Sequence, residues 1–119
     1  MDANAIGKKG EKDACKYLKK KGYKIVECNY RCRFGEIDII AENNEYFAFI
    51  EVKTRNNNSI ANPSEFVNLS KQKRLIKTAE MYLMSHDVTK QPRFDVIEVY
   101  APKGTATSSP QIYHMEDAF

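Results

Sequence analysis

Three charged residues lie inside the most apolar part of this chain. The stretch GEIDIIAENNEYFAFIEVKTR, residues 35–55, carries Asp38, Glu51 and Lys53 within two apolar runs. Carboxylates that face one another can hold a hard divalent cation such as Mg²⁺, which takes oxygen ligands and keeps waters that a phosphate can displace. A lysine beside them can position an attacking water and neutralise charge on a phosphate.

The two runs predict the strands of a hairpin, over residues 36–42 and 45–54. Asn43 and Asn44 stand between them, and asparagine tolerates the positive φ of a tight turn. We therefore expect a two-residue loop centred on this pair.

The length of that loop decides which side chains share a face. A two-residue loop places Asp38 opposite Phe49, with Glu51 diagonally across on the same face at a Cβ separation of about 7–8 Å. Lys53 projects from that face as well, whereas a three-residue loop would turn Asp38 away. For Glu51 and Lys53 alone, the commoner interpretation is an exposed pair on a solvated strand face.

A preceding helix can bring a further carboxylate to the hairpin. Residues 3–21 repeat small and apolar side chains at a helical period, and Gly22 is placed to end the helix. Glu11 lies on the packing stripe, where a carboxylate is costly unless it is paired or bound to metal. Gly7 and Gly10 would let this helix approach the sheet closely.

The remaining elements complete the order α-β-β-β-α-β-β. A polar, turn-rich loop is expected over residues 54–65, with a short helical turn at Pro63. Ser70 is a plausible N-cap for a helix over residues 71–85, and residues 93–100 predict a strand parallel to the second hairpin strand. Two further strands are predicted, at residues 23–30 and 111–115. The fold class is α/β, with helices on a central mixed sheet.

Length and composition set the broad class. The 119 residues suit one domain spanning residues 1–119, and 42% hydrophobic with 29% charged residues argues against disorder. The N-terminus lacks the apolar block of a secretory signal and no run is long enough to cross a membrane, so we expect a cytoplasmic protein without a membrane partner. A formal net charge of +3 is weak evidence for a nucleic-acid partner, although lysines crowd both helices.

The cysteines and histidines do not form a zinc motif. Cys15, Cys28 and Cys32 are odd in number, which fits reduced thiols better than disulfides. A zinc site that combines them with His86 and His114 can be drawn, but the spacings match no known pattern.

Several motifs in order resemble a known group of proteins. They are G-x-x-x-E in the first helix, G-Y-x-I before N-Y-R, then GEIDIIA, FIEVKTR and RFDVIEV. This series is similar to the YraN-like family of uncharacterised bacterial proteins. The array from Asp38 to E-V-K resembles the core of the PD-(D/E)XK nuclease superfamily, which has a restriction-endonuclease-like α-β-β-β-α-β fold and includes archaeal Holliday-junction resolvases.

The resemblance implies a role for each site residue. Asp38 and Glu51 would bind Mg²⁺ or Mn²⁺, with the Val52 carbonyl as a third ligand. Lys53 would orient or activate water, and Glu11 would match the helix carboxylate that binds metal or water in resolvase-like members.

Other positions are less firmly assigned by the resemblance. Ile37 stands where the superfamily has proline, which leaves the metal ligands intact. Many relatives carry a glutamine or lysine on the second helix near the site, and Gln72 or Lys71 could serve here, although such residues are usually solvated.

Arginines near the site are candidates for phosphate contact. Arg31, Arg33 and Arg55 flank it along the chain. Arg93 could contact phosphate, or it could pair with Asp95, for which we favour a structural role.

The sequence thus predicts a metal-dependent endonuclease that hydrolyses DNA, structured or branched. The alternatives are a non-catalytic nucleic-acid-binding protein that keeps the fold, and a plain protein-interaction module. Enzymes of branched DNA often dimerise to cut two strands, so a homodimer is left open.

Overall fold

A computed structural model describes residues 3–56 and 67–119 of the chain. The expected turn at Pro63 and most of the loop over residues 54–65 lie outside the described residues. No helix in the described ranges is long and apolar enough to cross a membrane.

The predicted order of elements and the α/β fold class are confirmed. The elements are α1 (Ala3–Lys20), β1 (Lys24–Cys32), β2 (Gly35–Glu42), β3 (Tyr46–Arg55), α2 (Leu69–Ser85), β4 (Gln91–Tyr100), a 3-10 turn (Gly104–Ala106) and β5 (Gln111–Met115).

The strands form one five-stranded sheet in the order β1-β2-β3-β4-β5. All neighbouring pairs are antiparallel except β3 and β4, which are parallel. The parallel pair is the one predicted, because α2 carries the chain from the end of β3 back to the start of β4.

Each face of the sheet buries a separate apolar cluster. The cluster under α1 comprises Ala14, Leu18, Tyr23, Ile39, Ala41, Ala48, Ile50, Ile97 and Val99. The cluster under α2 comprises Ile37, Ile40, Phe47, Phe49, Val67, Leu75, Ala79, Tyr82 and Val96. Because both faces are covered, β2, β3 and β4 read as nearly continuous apolar runs, and a polar side chain within them needs a specific partner.

The sheet divides between β2 and β3 at one end. Their ladder ends with the pair Ile39 and Ile50. Beyond this point β2 stays paired with β1 as far as Gly35, and β3 stays paired with β4 as far as Arg55. The two halves of the sheet therefore part, and the residues of β2 and β3 beyond the last pair line the opening, which we call the fork.

The predicted register of the hairpin is wrong. Asp38 was expected opposite Phe49, but Ile40 occupies that position. The register is thus displaced by two residues, and a displacement of two leaves every side chain on its predicted face. If this register is continued by one pair beyond Ile39 and Ile50, Asp38 lies directly across from Glu51.

The hairpin loop is wider than predicted. Residues 43–45 lie outside the strands, which is the condition we expected to turn Asp38 away. Asp38 nevertheless stays on its predicted face. The pair nearest the loop is Glu42 with Phe47, and residues 43–46 between them are even in number, as in a two-residue loop.

Side-chain hydrogen bonds explain this loop and one helix start. Neither asparagine of the loop has a positive φ; the Oδ1 of Asn43 instead accepts from the N–H groups of Glu45 (2.9 Å) and Tyr46 (2.7 Å). The expected N-cap at Ser70 is also wrong. Asn68 caps α2 by accepting from the Lys71 N–H at 2.9 Å.

Gly10 sets the distance between α1 and β3. A Cβ at this position would overlap the Oγ1 of Thr54, so glycine is needed for the close approach. The same expectation for Gly7 is wrong, since a Cβ there would meet nothing within 4 Å.

We expect Gly10→Ala to lower the free energy of unfolding by about 1–3 kcal/mol, because overpacking forces α1 away from β3. The matched change Gly7→Ala should stabilise the protein by about 0.5–1 kcal/mol, since alanine loses less backbone entropy in a helix. Urea denaturation of both variants measures the difference. Equal effects would contradict the role assigned to Gly10.

Candidate active site

The fork exposes a backbone group that Asp38 satisfies. Val52 lies beyond the last pair of the β2–β3 ladder, and its N–H donates to Asp38 Oδ2 at 2.8 Å. A side-chain carboxylate thus takes the place of a strand carbonyl, which fixes Asp38 between the two strands.

Glu51 lies next to Asp38 and is held by two lysines. It is 8% exposed. The Nζ of Lys71, from the first turn of α2, donates to Glu51 Oε1 at 2.8 Å. The Nζ of Lys53 lies 4.0 Å from the same oxygen. A buried carboxylate requires such partners, so α2 is tied to the fork by charge.

Two further carboxylates reach the fork, Glu11 from α1 and Glu36 from β2, and Asn29 of β1 bridges them. Glu11 is half-buried, and the Asn29 side-chain amide, in the orientation that satisfies its neighbours, donates to Glu11 Oε1 (3.2 Å) and Glu36 Oε1 (2.8 Å). Asn29 lies across from Asp38 in the β1–β2 register and has a φ of 55°. This left-handed conformation is uncommon in a strand. Here it occurs at the residue whose side-chain amide bridges Glu11 and Glu36.

Two clefts meet at Asp38 and Glu51. The smaller, of about 260 Å³, lies towards α2 and is also lined by Gly35, Glu36, Lys71, Arg74 and Leu75. The larger, of about 600 Å³, lies towards α1 and is also lined by Ile6, Gly7, Glu11, Val52, Lys53, Thr54, Arg55 and Asn56. The two carboxylates are therefore accessible from both sides of the sheet.

Burial, together with the neighbouring carboxylates, raises the pKa of two acids at the fork, Asp38 and Glu11. Burial, followed by the charge of Glu51 and smaller effects of Glu11 and Glu36, raises the pKa of Asp38 to about 7. Burial is also the main cause of a raised pKa for Glu11. A divalent cation placed among these groups would relieve their repulsion.

The pKa of Lys53 is shifted in the opposite direction, downwards. Burial, and then the charge of Lys71, lower the pKa of its ammonium, although Glu51 and Asp38 oppose this change. Its Nζ gives up a proton more readily than that of a solvated lysine.

The oxygen donors at the fork fit Mg²⁺ or Mn²⁺ in kind. Within residues 3–56 and 67–119, however, no three His, Cys, Asp or Glu side chains are arranged to hold a metal ion. Lys71 binds Glu51 and so takes the place of an inorganic cation at that carboxylate. A metal ligated by Glu51 would have to displace this ammonium.

The zinc hypothesis has no support in the described residues. Cys15 and Cys28 lie with their sulfurs 4.0 Å apart, but the two histidines bind elsewhere. The Nε2 of His114 lies 2.7 Å from an oxygen of Asp95, and His86 stacks on Tyr82.

The structure separates the two candidates on α2. Lys71 reaches the site, as described. Gln72 does not line either cleft, and its Nε2 donates to the Val67 carbonyl at 3.1 Å. That bond gives Gln72 a structural role at the start of α2.

The candidate arginines are found in different environments. Arg55 lines the larger cleft, with its Nε 3.2 Å from Glu98 Oε1. Arg31 is exposed and pairs with Glu36 at 3.2 Å. Arg33 lies over the ring of Phe34. These three remain candidates for phosphate contact.

Arg93 is placed away from the clefts. It is 7% exposed and makes two hydrogen bonds of 2.8 Å to Asp95, which is itself fully buried. Since a buried, paired guanidinium cannot reach a phosphate, the structural alternative accounts for this residue. The partners of Asp95, led by the hydrogen bonds of His114 and Arg93, lower its pKa against the effect of burial.

Sequence reasoning missed three residues at the fork: Asn29, Glu36 and Arg74. Asn29 is the first residue of the N-Y-R motif, and Glu36 follows the glycine of GEIDIIA, so both lie in motifs that carried the resemblance. Arg74 gave no signal beyond its basic segment, because its position at the cleft depends on how α2 packs.

Comparisons with known proteins place the chain among relatives of the same length. A family model described as "Uncharacterised protein family UPF0102" matches residues 10–99. A UPF0102 protein of Caldanaerobacter subterraneus subsp. tengcongensis is 42% identical over 120 residues, covering 100% of this chain and 98% of the relative. One of Alkaliphilus oremlandii is 46% identical (96% and 97% covered), and one of Clostridium perfringens is 51% identical (80% and 79%).

The raised pKa of Asp38 should make the metal-free protein less stable as pH rises. Its folded value of about 7 lies above its ordinary 3.8, so the folded protein binds the proton more tightly between these values. The stabilisation is complete below about pH 4 and is lost as pH rises through about 7. We expect Asp38→Asn to gain stability relative to the parent between about pH 4 and 8. A constant difference in urea denaturation across this range would contradict the assignment.

Proposed function

This chain belongs to the uncharacterised protein family UPF0102, and we propose that it is a divalent-metal-dependent hydrolase of phosphodiester bonds in DNA. Family membership agrees with the resemblance of its motifs to YraN-like proteins. The observation that carries the proposal is the meeting of Asp38, Glu51 and Lys53 at the fork, where both clefts open.

Each residue of the fork has a role that its environment supports. Asp38 and Glu51 would hold Mg²⁺ or Mn²⁺, with Glu11 and the Val52 carbonyl as further ligands implied by the resemblance. When bound, the cation neutralises charge on the phosphate and polarises it towards attack.

Lys53 acts on the attacking water. Its Nζ lies beside Glu51 and has a lowered pKa: as an ammonium it can orient a water molecule, and after losing its own proton it can accept one from that water. Asp38 is held by the Val52 N–H, which keeps one of its oxygens fixed while the other faces the site.

The surroundings of the fork favour a polyanion over a small phosphate ester. The clefts open on both faces of the sheet, and basic side chains line both of them: Lys71 and Arg74 towards α2, and Lys53 and Arg55 towards α1. A nucleic-acid backbone that crosses the fork would meet cations on either side of the bond to be cut.

Cleavage of DNA tests the proposal. We expect purified protein with Mn²⁺ or Mg²⁺ to cut at least one of a panel of duplex, single-stranded and branched DNAs. Asp38→Asn, Glu51→Gln and Lys53→Met should each lower the rate about a hundredfold or more, because each removes a group that stabilises the transition state.

The matched controls lie at the other end of the hairpin. Glu42 of β2 pairs with Lys90 at 3.4 Å, and Glu42→Gln and Lys90→Met remove similar charges there. They should cleave at the parent rate. Cleavage that survives in the fork variants would indicate a contaminant. Salt-dependent DNA binding without turnover on any substrate would support the non-catalytic alternative instead.

Competition between Lys71 and a metal ion gives a separate prediction. Lys71→Met removes the ammonium from Glu51, so we expect it to tighten Mn²⁺ binding about two- to tenfold, as befits a partly exposed ion pair. Isothermal titration with Mn²⁺ measures this, and Lys90→Met is the matched control. Weaker Mn²⁺ binding by Lys71→Met would show that the lysine does not compete for the site.

A further inference from the structure

An aromatic side chain stands apart from both apolar clusters, near the smaller cleft. Phe34 lies in the turn between β1 and β2, is half-buried, and belongs to neither cluster of the described residues. The Cζ of Arg33 lies 4.9 Å from the centre of its ring, and the Nζ of Lys77 lies 5.3 Å from it. The ring is thus flanked by two exposed cations.

The turn that carries Phe34 is fixed against α2. Gly35 has a φ of 154°, and a Cβ there would lie 3.2 Å from the Oγ1 of Thr78. That hydroxyl donates to the Arg74 carbonyl at 2.8 Å, so its position is fixed and glycine is needed for the close approach. The ring of Phe34 is therefore carried by a turn that lies close against α2.

A row of basic residues connects the ring with the fork. Lys71, Arg74 and Lys77 follow one another at intervals of three along one side of α2. The first binds Glu51, the second lines the smaller cleft, and the third lies over Phe34. The rise of the helix makes this row about 9 Å long, which is short enough for a nucleotide adjacent to the fork to reach the ring.

This combination fits the face of a nucleobase and the phosphates beside it. Bases stack on exposed aromatic rings whatever their identity, and neighbouring cations follow the backbone. The cation contacts that occupy the ring are weak at exposed sites, so a base can replace them while Arg33 and Lys77 move to phosphates. In a paired duplex the base faces are covered by neighbouring bases, so only an unpaired nucleotide can use the ring.

We infer that Phe34 is the stacking platform for an unpaired nucleotide next to the phosphate at the fork, so that the substrate is DNA with a single-stranded segment at the cleavage point. This inference rests on the proposed function for the reaction, but it makes a claim about binding that can be measured without cleavage.

The test compares two DNAs in the Lys53→Met background, where the substrate should stay intact. One is a fully paired duplex, and the other has the same sequence with an unpaired segment in its centre. Fluorescence anisotropy measures both affinities at one salt concentration. We expect tighter binding of the unpaired DNA, and Phe34→Leu should lower that preference about 5- to 100-fold, as loss of one stacked base does.

Matched variants separate stacking from structural effects. Phe34→Trp should keep the preference, because it retains an aromatic face. Lys77→Gln should weaken binding of the unpaired DNA more than Lys73→Gln, since both change an exposed lysine of α2 but only Lys77 lies over the ring. If Phe34→Leu lowers the melting temperature severely, the tryptophan and lysine variants decide the result.

The outcomes distinguish this inference from the proposed function. An unchanged preference in Phe34→Leu, or equal loss of affinity for both DNAs, overturns the platform even if the protein cleaves DNA. A preference that depends on Phe34 in a protein that cuts nothing supports the platform and overturns the nuclease. An RNA of the same unpaired sequence is measured in the same way, and tighter binding of this RNA than of the unpaired DNA overturns DNA as the substrate.

Discussion

The candidate site depends on the separation of β2 from β3 at one end of the sheet, and on the hydrogen bond that satisfies the backbone group this separation leaves unpaired. Two strands in the middle of a sheet cannot separate without leaving backbone groups unpaired. The Val52 N–H is satisfied by the carboxylate of Asp38, so the residue that supports the opening is also the one that reaches into it. The side chain that satisfies the backbone at the fork is thus also a proposed metal ligand, and its burial beside Glu51 raises its pKa to about 7.

Much of this arrangement could be read from the chain. The alternation of apolar residues placed Asp38, Glu51 and Lys53 on one face, and the order of elements fixed the parallel pair of β3 and β4. The register could not be predicted, because the Asn43 side chain closes a wider loop than a two-residue turn. Because the register is displaced by two residues, the three side chains still share a face although the predicted loop was wrong.

What the sequence could not give depends on tertiary packing. Lys71 and Gln72 were equal candidates in the sequence, and only the position of α2 distinguishes them, because it brings Lys71 Nζ within 2.8 Å of Glu51 Oε1. Arg93 was open to two interpretations, and its burial together with its paired hydrogen bonds to the buried Asp95 distinguishes them. Local patterns identify the groups that can do chemistry, whereas the choice of partner is decided by elements far apart in the sequence.

The irregular path of β1 has a consequence for how copies of this protein can meet. β1 is the outer strand of the sheet, and no strand among residues 3–56 and 67–119 pairs with its outer side. Its pairing with β2 shifts between Ile25 and Glu27, and Asn29 takes up a left-handed conformation further along. Both irregularities bend the outer backbone away from the straight edge that an added strand requires. The asparagine that bridges the acids of the fork thus also makes this edge of the sheet a poor template for the addition of a strand.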